Sequence, residues 1–407
     1  MQRLQYAEWG PAELKSAVAA IVTRRVSAGP EPARLAERLG ALSKAHGAYA
    51  LNAGRTAIWL ALVAMRKLAP ARKRVVVPAY ICPGVTHAVE RAGLDWTVAD
   101  VGDDLNVEPA AVQNTLDDRT LAVIVPHMYG CPARVGEIER ICRTAGVFMI
   151  DDAAQVVGVE HNGRVLGGFG DAGILSFAQS KSVVTGVRGS GGMLLVNTPA
   201  LDHPVREAYE QLSTPRGRVA QFGYFLSNYL ILPHLGPLGR HVSSWMYYLP
   251  SLRVGRDFFV PARMSNLDAA IALRQMTHLS ARCAAKIRLA GLFARELRGV
   301  EGVRFPQYSA GRYLTRFMVA VVDDVNIDNL RADLRRAGVE NRPGYRALTL
   351  PDCNSANAQA WSGRLVELPS RTTMADGDVR AVCRALGEAL HGRAAQGGMR
   401  QRPGTAA

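Results

Sequence analysis

Acidic residues are scarce in this chain. It has 35 Asp and Glu against 49 Lys and Arg, a formal charge of +14 over 407 residues. The basic residues are nevertheless scattered, with no block of five or six like charges. Neither zinc-finger spacing nor an RNA-binding aromatic signature accompanies them, which argues against nucleic acid as a partner. Attraction to small anionic substrates, such as nucleotide diphosphates, is a sufficient use for the excess; a genome favouring arginine and alanine would produce it as well. Cysteine is sparse too: Cys82, Cys131, Cys142, Cys283, Cys353 and Cys383 show no metal-ligand spacing. Free thiols in a reducing cytoplasm are therefore expected, and no metal. The opening residues, Met1 to Tyr6, lack the apolar core of a secretion signal. Long apolar runs are missing as well. From Gln221 to Gly239 there is no charged side chain, but Asn228, Pro233, His234, Gly236 and Pro237 interrupt the run. It falls short of the roughly 20 apolar residues that a membrane span needs.

What is present is alternation. Short apolar runs at Arg74–Pro78, Trp96–Ala99 and Leu121–Val125 are separated by helical patterns at Gly84–Ala92, Pro109–Leu116 and Val135–Ala145. Such alternation predicts a parallel sheet with right-handed crossovers. The length suits one large α/β domain and a smaller one. Ahead of the strands, Tyr49-Ala50-Leu51 leads into Asn52-Ala53-Gly54-Arg55-Thr56 and a helix from Ala57. A strand, a small-residue turn and a helix start together make an anion site, because backbone N–H groups and the positive helix end converge.

The stretch from Gly146 to Gly192 organises the rest. Val147-Phe148-Met149-Ile150 closes on Asp151-Asp152-Ala153-Ala154-Gln155, which reads as a buried strand delivering acids to the carboxyl edge of the sheet. A second strand, Gly173 to Phe177, carries Ser176 and is followed by Ala178-Gln179-Ser180-Lys181, then by a glycine-rich turn from Gly186 to Gly192. An acid, an amide, a hydroxyl and a lysine thus arrive on neighbouring strand ends. Pyridoxal phosphate calls for such a set, with a lysine for the Schiff base and a carboxylate facing the pyridine nitrogen.

Asp-Asp-Ala-Ala-Gln, Gly170-Asp171, Ser176-Phe177 and Lys181 together resemble the DegT/StrS-type (DegT/DnrJ/EryC/StrS) sugar aminotransferases, and the resemblance extends from about Ala48 to Leu390. It implies an α/β, fold type I pyridoxal 5'-phosphate enzyme, with a mostly parallel sheet in the large domain and a smaller C-terminal α+β lobe. It implies that Lys181 holds the cofactor, that Asp152 faces the ring nitrogen, that Gln155 lies near the ring hydroxyl and that Ser176 binds phosphate. Lys181 would then serve as the base that moves the proton during amino transfer, from glutamate to a nucleotide-linked ketosugar. A dehydratase branch of the family carries histidine in place of this lysine, so Lys181 argues against that activity. An aminotransferase for a non-sugar or lipid-linked acceptor, or a non-catalytic regulatory or assembly protein that binds the cofactor, are the alternatives. A homodimer follows from the family.

Several positions depart from the family pattern. Ala53-Gly54-Arg55 replaces the usual Ser-Gly-Thr, so Arg55 either binds the phosphate or points to solvent. Cys82 occupies the place of an aromatic that stacks on the ring; either its thiol packs there or Tyr80 swings in. Ser190 stands for a glutamate, and Pro261 for an asparagine that reaches the partner's phosphate. His127, in the loop with Tyr129 and Gly130, is expected to line the substrate wall. Arg263 matches a family arginine, or else caps the preceding loop. Arg342 and Tyr345 are candidate substrate contacts, or surface packing.

These readings divide the chain into an N-terminal arm and helix (1–47), a large cofactor-binding domain (48–260), a long helix from Leu267 to about Leu297 with a small lobe (261–391), and a disordered tail (392–407). The apolar insertion at about 221–250 either packs on the core or a second subunit, or skims a bilayer between Arg216, Arg218, Arg240 and Arg253.

Overall fold

The valine run of β2 (Arg74–Pro78) lies between β3 (Asp95–Ala99) and β4 (Thr120–Pro126) in a seven-stranded sheet of the computed structural model. The structure describes residues 2–4, 8–186, 191–215, 218–227, 235, 238–239, 242, 260–306, 313–321, 325–351 and 353–400. Across the sheet the order is β1 (Gly47–Leu51), β9 (Gly192–Val196), β8 (Ala172–Ser176), β5 (Phe148–Asp152), β4, β2, β3. The pairs from β8 to β3 are parallel, whereas β9 is antiparallel to both β8 and β1. Every residue of β4, β8 and β9 is buried. That explains why they read as unbroken apolar runs rather than as alternating patterns.

Alternate side chains of the sheet feed two cores. Val75, Val77 and Ile124 pack with α3 (Gly54–Leu68) and α4 (Pro83–Arg91) on one face. Val76, Val123, Val125 and Met149 pack with α2 (Glu31–Ser43) and α6 (Val135–Ala145) on the other. The two-residue strands β6 (Glu160–His161) and β7 (Arg164–Val165) pair as a small hairpin.

Where the sequence predicts one helix from Leu267 to Leu297 there are two, α9 (Asn266–Met276) and α10 (Leu279–Glu296). Thr277 ends the first: its hydroxyl takes the carbonyl of Arg274 at 2.7 Å and its N–H bonds the same oxygen. No proline or glycine marks the break. The second lobe is an antiparallel sheet ordered β10 (Val303–Arg304), β11 (Phe317–Val321), β13 (Leu365–Leu368), β12 (Arg342–Pro343). It is covered by α10, by α11 (Ile327–Arg336) and by α13 (Asp376–Arg400), around Phe293, Phe317, Leu330 and Leu386. Backbone at 392–400, expected to be irregular, continues α13, since Ala394-Ala395-Gln396 are good helix formers.

The N-terminal segment does more than lie on the large domain. α1 (Pro11–Val22) packs on α9, and further back Gln2 pairs its backbone with Gly338 and Glu340 of the second lobe. The first turns of the apolar insertion form α8 (Arg218–Leu226), whose Phe222 and Phe225 rings lie 5.9 and 4.7 Å from that of Trp9. The buried Arg218 guanidinium grips the Asp268 carboxylate through bonds of 2.8 and 2.7 Å. α8 is thus packed on this chain's own core. Most of 228–259 lies outside the described residues, and with it most of the region suggested to skim a bilayer. Among the described residues no helix is long and apolar enough to cross a membrane.

Candidate active site

Parallel strands point their carboxyl ends the same way, so the residues after β4, β5 and β8 meet at one edge of the sheet. Asp151 and Asp152 end β5, and both are buried. Their partners separate their roles. Asp151 accepts the N–H groups of Gly167 and Phe169 at 2.7 and 3.1 Å and faces Nε2 of His127 at 2.6 Å. Among the described residues Asp152 accepts a single side-chain bond, from the N–H of Ala154 at 3.0 Å. Burial pushes its carboxyl upward, and the nearby Lys181 ammonium and the Ala154 bond pull the other way. Asp152 is the carboxylate left for a ligand.

Lys181 follows β8 through a turn whose Ser180 takes the left-handed conformation, φ +62°. The Ser180 hydroxyl lies 3.0 Å from an Arg342 guanidinium nitrogen, which pins this unfavourable backbone in place. Desolvation, seconded by the positive Arg316, lowers the Lys181 amine to about 8, with Cys82, Asp152 and Glu367 opposing. No hydrogen bond holds its Nζ among the described residues, so the amine is ready to bond elsewhere.

The end of β8 also meets the start of α3. A methyl added at Gly54 would stand 3.0 Å from Cβ of Ser176, and one at Gly192 would come within 2.5 Å of the Gly54 nitrogen. Only residues without side chains let strand and helix start close on each other so tightly. No side chain caps α3 at Ala53, and the Ser176 hydroxyl has no protein partner among the described residues. A helix N-terminus facing a hydroxyl is suited to a phosphate. Arg55, half-buried, flanks that first turn.

Gln155 supplies a further sign of a missing guest. Among the described residues its buried Oε1 has no hydrogen-bond partner, and its Nε2 has only Met128 Sδ at 3.9 Å. Its backbone is fixed, however, because its carbonyl accepts the hydroxyls of Ser182 and Thr315. Buried polar atoms without partners are costly, so a group with its own polar edge belongs here. A phosphorylated pyridine with a ring oxygen fits all four places: Lys181, Asp152, Gln155 and the Ser176–α3 turn.

Other expected site residues are placed differently. His127 is buried completely. Its Nδ1 accepts the Ala133 N–H at 3.1 Å, so its proton sits on Nε2 and is donated to Asp151. Both nitrogens are occupied, and the ring cannot line a substrate wall. Arg263 donates to the carbonyls of Glu210 at 2.8 Å and Tyr209 at 3.4 Å, the C-terminal end of α7 (Pro199–Glu210), and lies over the Tyr209 ring. It caps that helix, where a cation is favoured, and is not free to hold substrate. Tyr80 is buried, with its hydroxyl 2.8 Å from that of Tyr129 and accepting the Tyr345 N–H at 2.8 Å. It therefore cannot swing over the ring. Cys82 is exposed at the start of α4, within electrostatic reach of Lys181 and Arg316. Pro261 sits in the segment that returns along β1, where Asn52 bonds the carbonyl of Val260 and the N–H of Ala262. Ser190 lies outside the described residues.

Arg342 and Tyr345, expected as substrate contacts or surface packing, are both engaged with this chain's own residues. Arg342 bridges Ser180 and, at 3.2 Å, Glu367; Tyr345 stacks on Tyr129 with ring centroids 5.7 Å apart. Two residues of the second lobe escape the sequence reading. Glu367, buried on β13, and Arg316, just before β11, both act on Lys181. Their signal was legible in principle: a lone charge inside or beside an all-apolar strand is rarely buried without a task.

Comparison with known proteins agrees with this arrangement. Residues 9–387 match the DegT/DnrJ/EryC1/StrS aminotransferase family. The erythromycin biosynthesis sensory transduction protein EryC1 of Saccharopolyspora erythraea is 26% identical over 306 residues, 72% of this chain and 73% of that protein. The GDP-perosamine synthase of Vibrio cholerae is 24% identical over 325 residues, 77% and 78% of the two chains. Among solved structures, Helicobacter pylori PseC, an aminotransferase involved in the biosynthesis of pseudoaminic acid, superposes with a TM-score of 0.78 at 12% identity, covering 96% of this chain and 99% of its own. The aminotransferase TlmJ from Streptoalloteichus hindustanus does so at 0.76 and 22%, covering 97% and 100%. At these identities the structural matches speak for the fold alone. With the family match spanning nearly its whole length, the chain belongs to the DegT/DnrJ/EryC1/StrS aminotransferases.

Proposed function

We propose that the protein transfers an amino group from an amino acid, glutamate, to the keto group of a nucleotide-linked sugar, working as a homodimer in the cytoplasm. The observation that carries this reading is the pairing of an unbonded Lys181 amine with a buried, nearly unbonded Asp152 carboxylate whose charges act on each other. Bound pyridoxal phosphate would supply an electron sink for the carbanion formed at the donor's Cα. Asp152 would hold the proton on the ring nitrogen, because a carboxylate there favours the charged ring. Ser176 and the N-terminus of α3 would hold the phosphate, and the Gln155 amide would meet the ring oxygen. An amine at about 8 has an appreciable free-base fraction at neutral pH, which suits Lys181 both to attach the cofactor and to carry a proton from one carbon to the other.

The sugar acceptor is supported by the relatives, two of which are a GDP-perosamine synthase and a UDP-N-acetyl-3-dehydro-alpha-D-glucosamine 3-aminotransferase. The basic excess would favour a diphosphate-bearing substrate. A screen of amino donors and nucleotide ketosugars tests the reading, followed by decay of the visible band of the lysine-bound cofactor. Band loss with glutamate and its return with a ketosugar are expected. A protein that keeps the band with every donor would not be an aminotransferase.

A further inference from the structure

Arg316 stands where the second lobe touches the cofactor end of the sheet. Its neighbour Thr315 donates its hydroxyl to the Gln155 carbonyl and its N–H to the Tyr129 carbonyl at 2.8 Å. Thr315 thus fixes the backbone of this segment beside Gln155, and the Arg316 guanidinium lies within electrostatic reach of Lys181, Tyr129 and Tyr345. It is only 16% exposed, yet none of its N–H groups makes a hydrogen bond among the described residues, and its Nε is buried without a partner. The nearest carboxylate, Glu367, is 3.9 Å away and is closer to Arg342, at 3.2 Å. Oε2 of Glu367 accepts no hydrogen bond either.

One carboxylate thus faces two guanidinia, next to a third cation, Lys181. The other buried acid of the site, Asp152, is directed at the cofactor's ring nitrogen in the reading above. A buried Nε with no hydrogen-bond partner among the described residues is costly, and the planar fork it belongs to matches one ligand geometry best, a bidentate carboxylate. Every amino-acid donor carries such a group on the carbon whose proton must pass to Lys181.

We propose that Arg316 binds the α-carboxylate of the amino donor and so selects amino acids over other amines. The proposal rests on the aminotransferase reading and deepens it. Docking of the carboxylate on Arg316 holds Cα near Lys181 during the first half of the reaction. A ketosugar has no such group, so in the second half this residue acts only through its charge on Lys181.

The test compares wild-type holoenzyme with Arg316→Gln and Arg316→Lys. With L-glutamate, the concentration for half-maximal band loss should rise about 100-fold in Arg316→Gln, the usual scale for losing a buried charge-assisted pair, and recover in part in Arg316→Lys. L-Isoglutamine, in which the α-carboxylate is an amide, should be a poor donor for the wild type and no worse for Arg316→Gln. Rates of return of the band with a ketosugar should fall several-fold at most, through the loss of the Arg316 charge beside Lys181, far less than the change with glutamate. Equilibrium binding of 2-oxoglutarate to the lysine-bound holoenzyme, followed by intrinsic fluorescence, provides a readout without turnover and should weaken in parallel. Arg316→Gln that binds 2-oxoglutarate as tightly as the wild type, or a wild type that does not bind it, overturns the proposal. A wild type that binds 2-oxoglutarate but keeps its band with every amino acid would remove the aminotransferase reading and leave a carboxylate site at Arg316.

Discussion

His127 and Asp151 form a closed pair at the base of the site, Nε2 to Oδ1 at 2.6 Å, with both side chains wholly buried. The pair underlies Asp152 rather than touching a ligand. Removing the imidazole strands a buried carboxylate that keeps two backbone N–H bonds. His127→Ala is expected to cost about 3 kcal/mol in stability, read from urea unfolding. Any cofactor that remains bound should still react. A rise in substrate KM with unchanged stability would return His127 to the substrate wall.

Lys181 gives a pH signature. Cofactor-free protein treated with an amine-directed acylating reagent should label Lys181 with a midpoint near 8, because burial and Arg316 both disfavour the ammonium. The free base grows as pH rises, so labelling and cofactor uptake should increase up to that region and then level off. Removing the positive charge in Arg316→Gln should move the midpoint upward. Lys181→Ala should hold the cofactor weakly and transfer nothing. A Lys181 midpoint near 10.5, the ordinary lysine value, would mean that the amine is not desolvated.

Asp152→Asn removes charge and almost no volume. The fold and unfolding midpoint should be kept while turnover falls by about 100-fold or more, since an amide cannot hold the ring nitrogen protonated. Steady-state rates alongside the circular dichroism spectrum check this. A variant that retains more than half of the activity would remove Asp152 from its assigned place.

Gly54→Ala probes the phosphate turn. Its methyl would press on Cβ of Ser176 at 3.0 Å and push the start of α3 away from the end of β8. Affinity for the cofactor should drop about tenfold, near 1.4 kcal/mol, measured by equilibrium dialysis. Affinity equal to wild type would place the phosphate elsewhere.

Arg218 and Asp268 tie the apolar insertion to α9 with both side chains 4% exposed. Arg218→Ala should lower stability by roughly 3–5 kcal/mol, whereas the joint replacement Arg218→Met with Asp268→Leu should lie within about 1 kcal/mol of wild type. Urea midpoints decide, and equal losses in both variants would show that packing, not the unpaired charge, dominates.

Much of this was readable before any coordinates. Apolar runs such as Val75-Val76-Val77 bounded by turns could only be buried strands, and Asp152, Ser176 and Lys181 stand at strand ends because their residue types end those runs. What was hidden depends on pairing between distant segments. Met193 to Val196 reads as an antiparallel or edge strand, and β9 is antiparallel; its place inside the sheet, between β1 and β8, was what its composition did not reveal. Arg263 looks like a site residue until the carbonyls of Tyr209 and Glu210 are brought to it. Arg316 and Glu367 become one cluster only when β11 pairs with β13. The helical break at Thr277 rests on one hydroxyl that bonds backwards, a local choice that propensity does not reveal.

Tyr80 and its neighbours have a consequence for how the two lobes can move. Leu348 donates its N–H to the Ala79 carbonyl at 2.7 Å, Tyr345 donates its N–H to the Tyr80 hydroxyl, and Tyr345 lies flat on Tyr129. These fastenings stitch the segment from Tyr345 to Leu348 to the turn that follows β2. A hinge that swung the whole second lobe outward would tear all of them at once, so any movement between the two lobes must leave this seam closed.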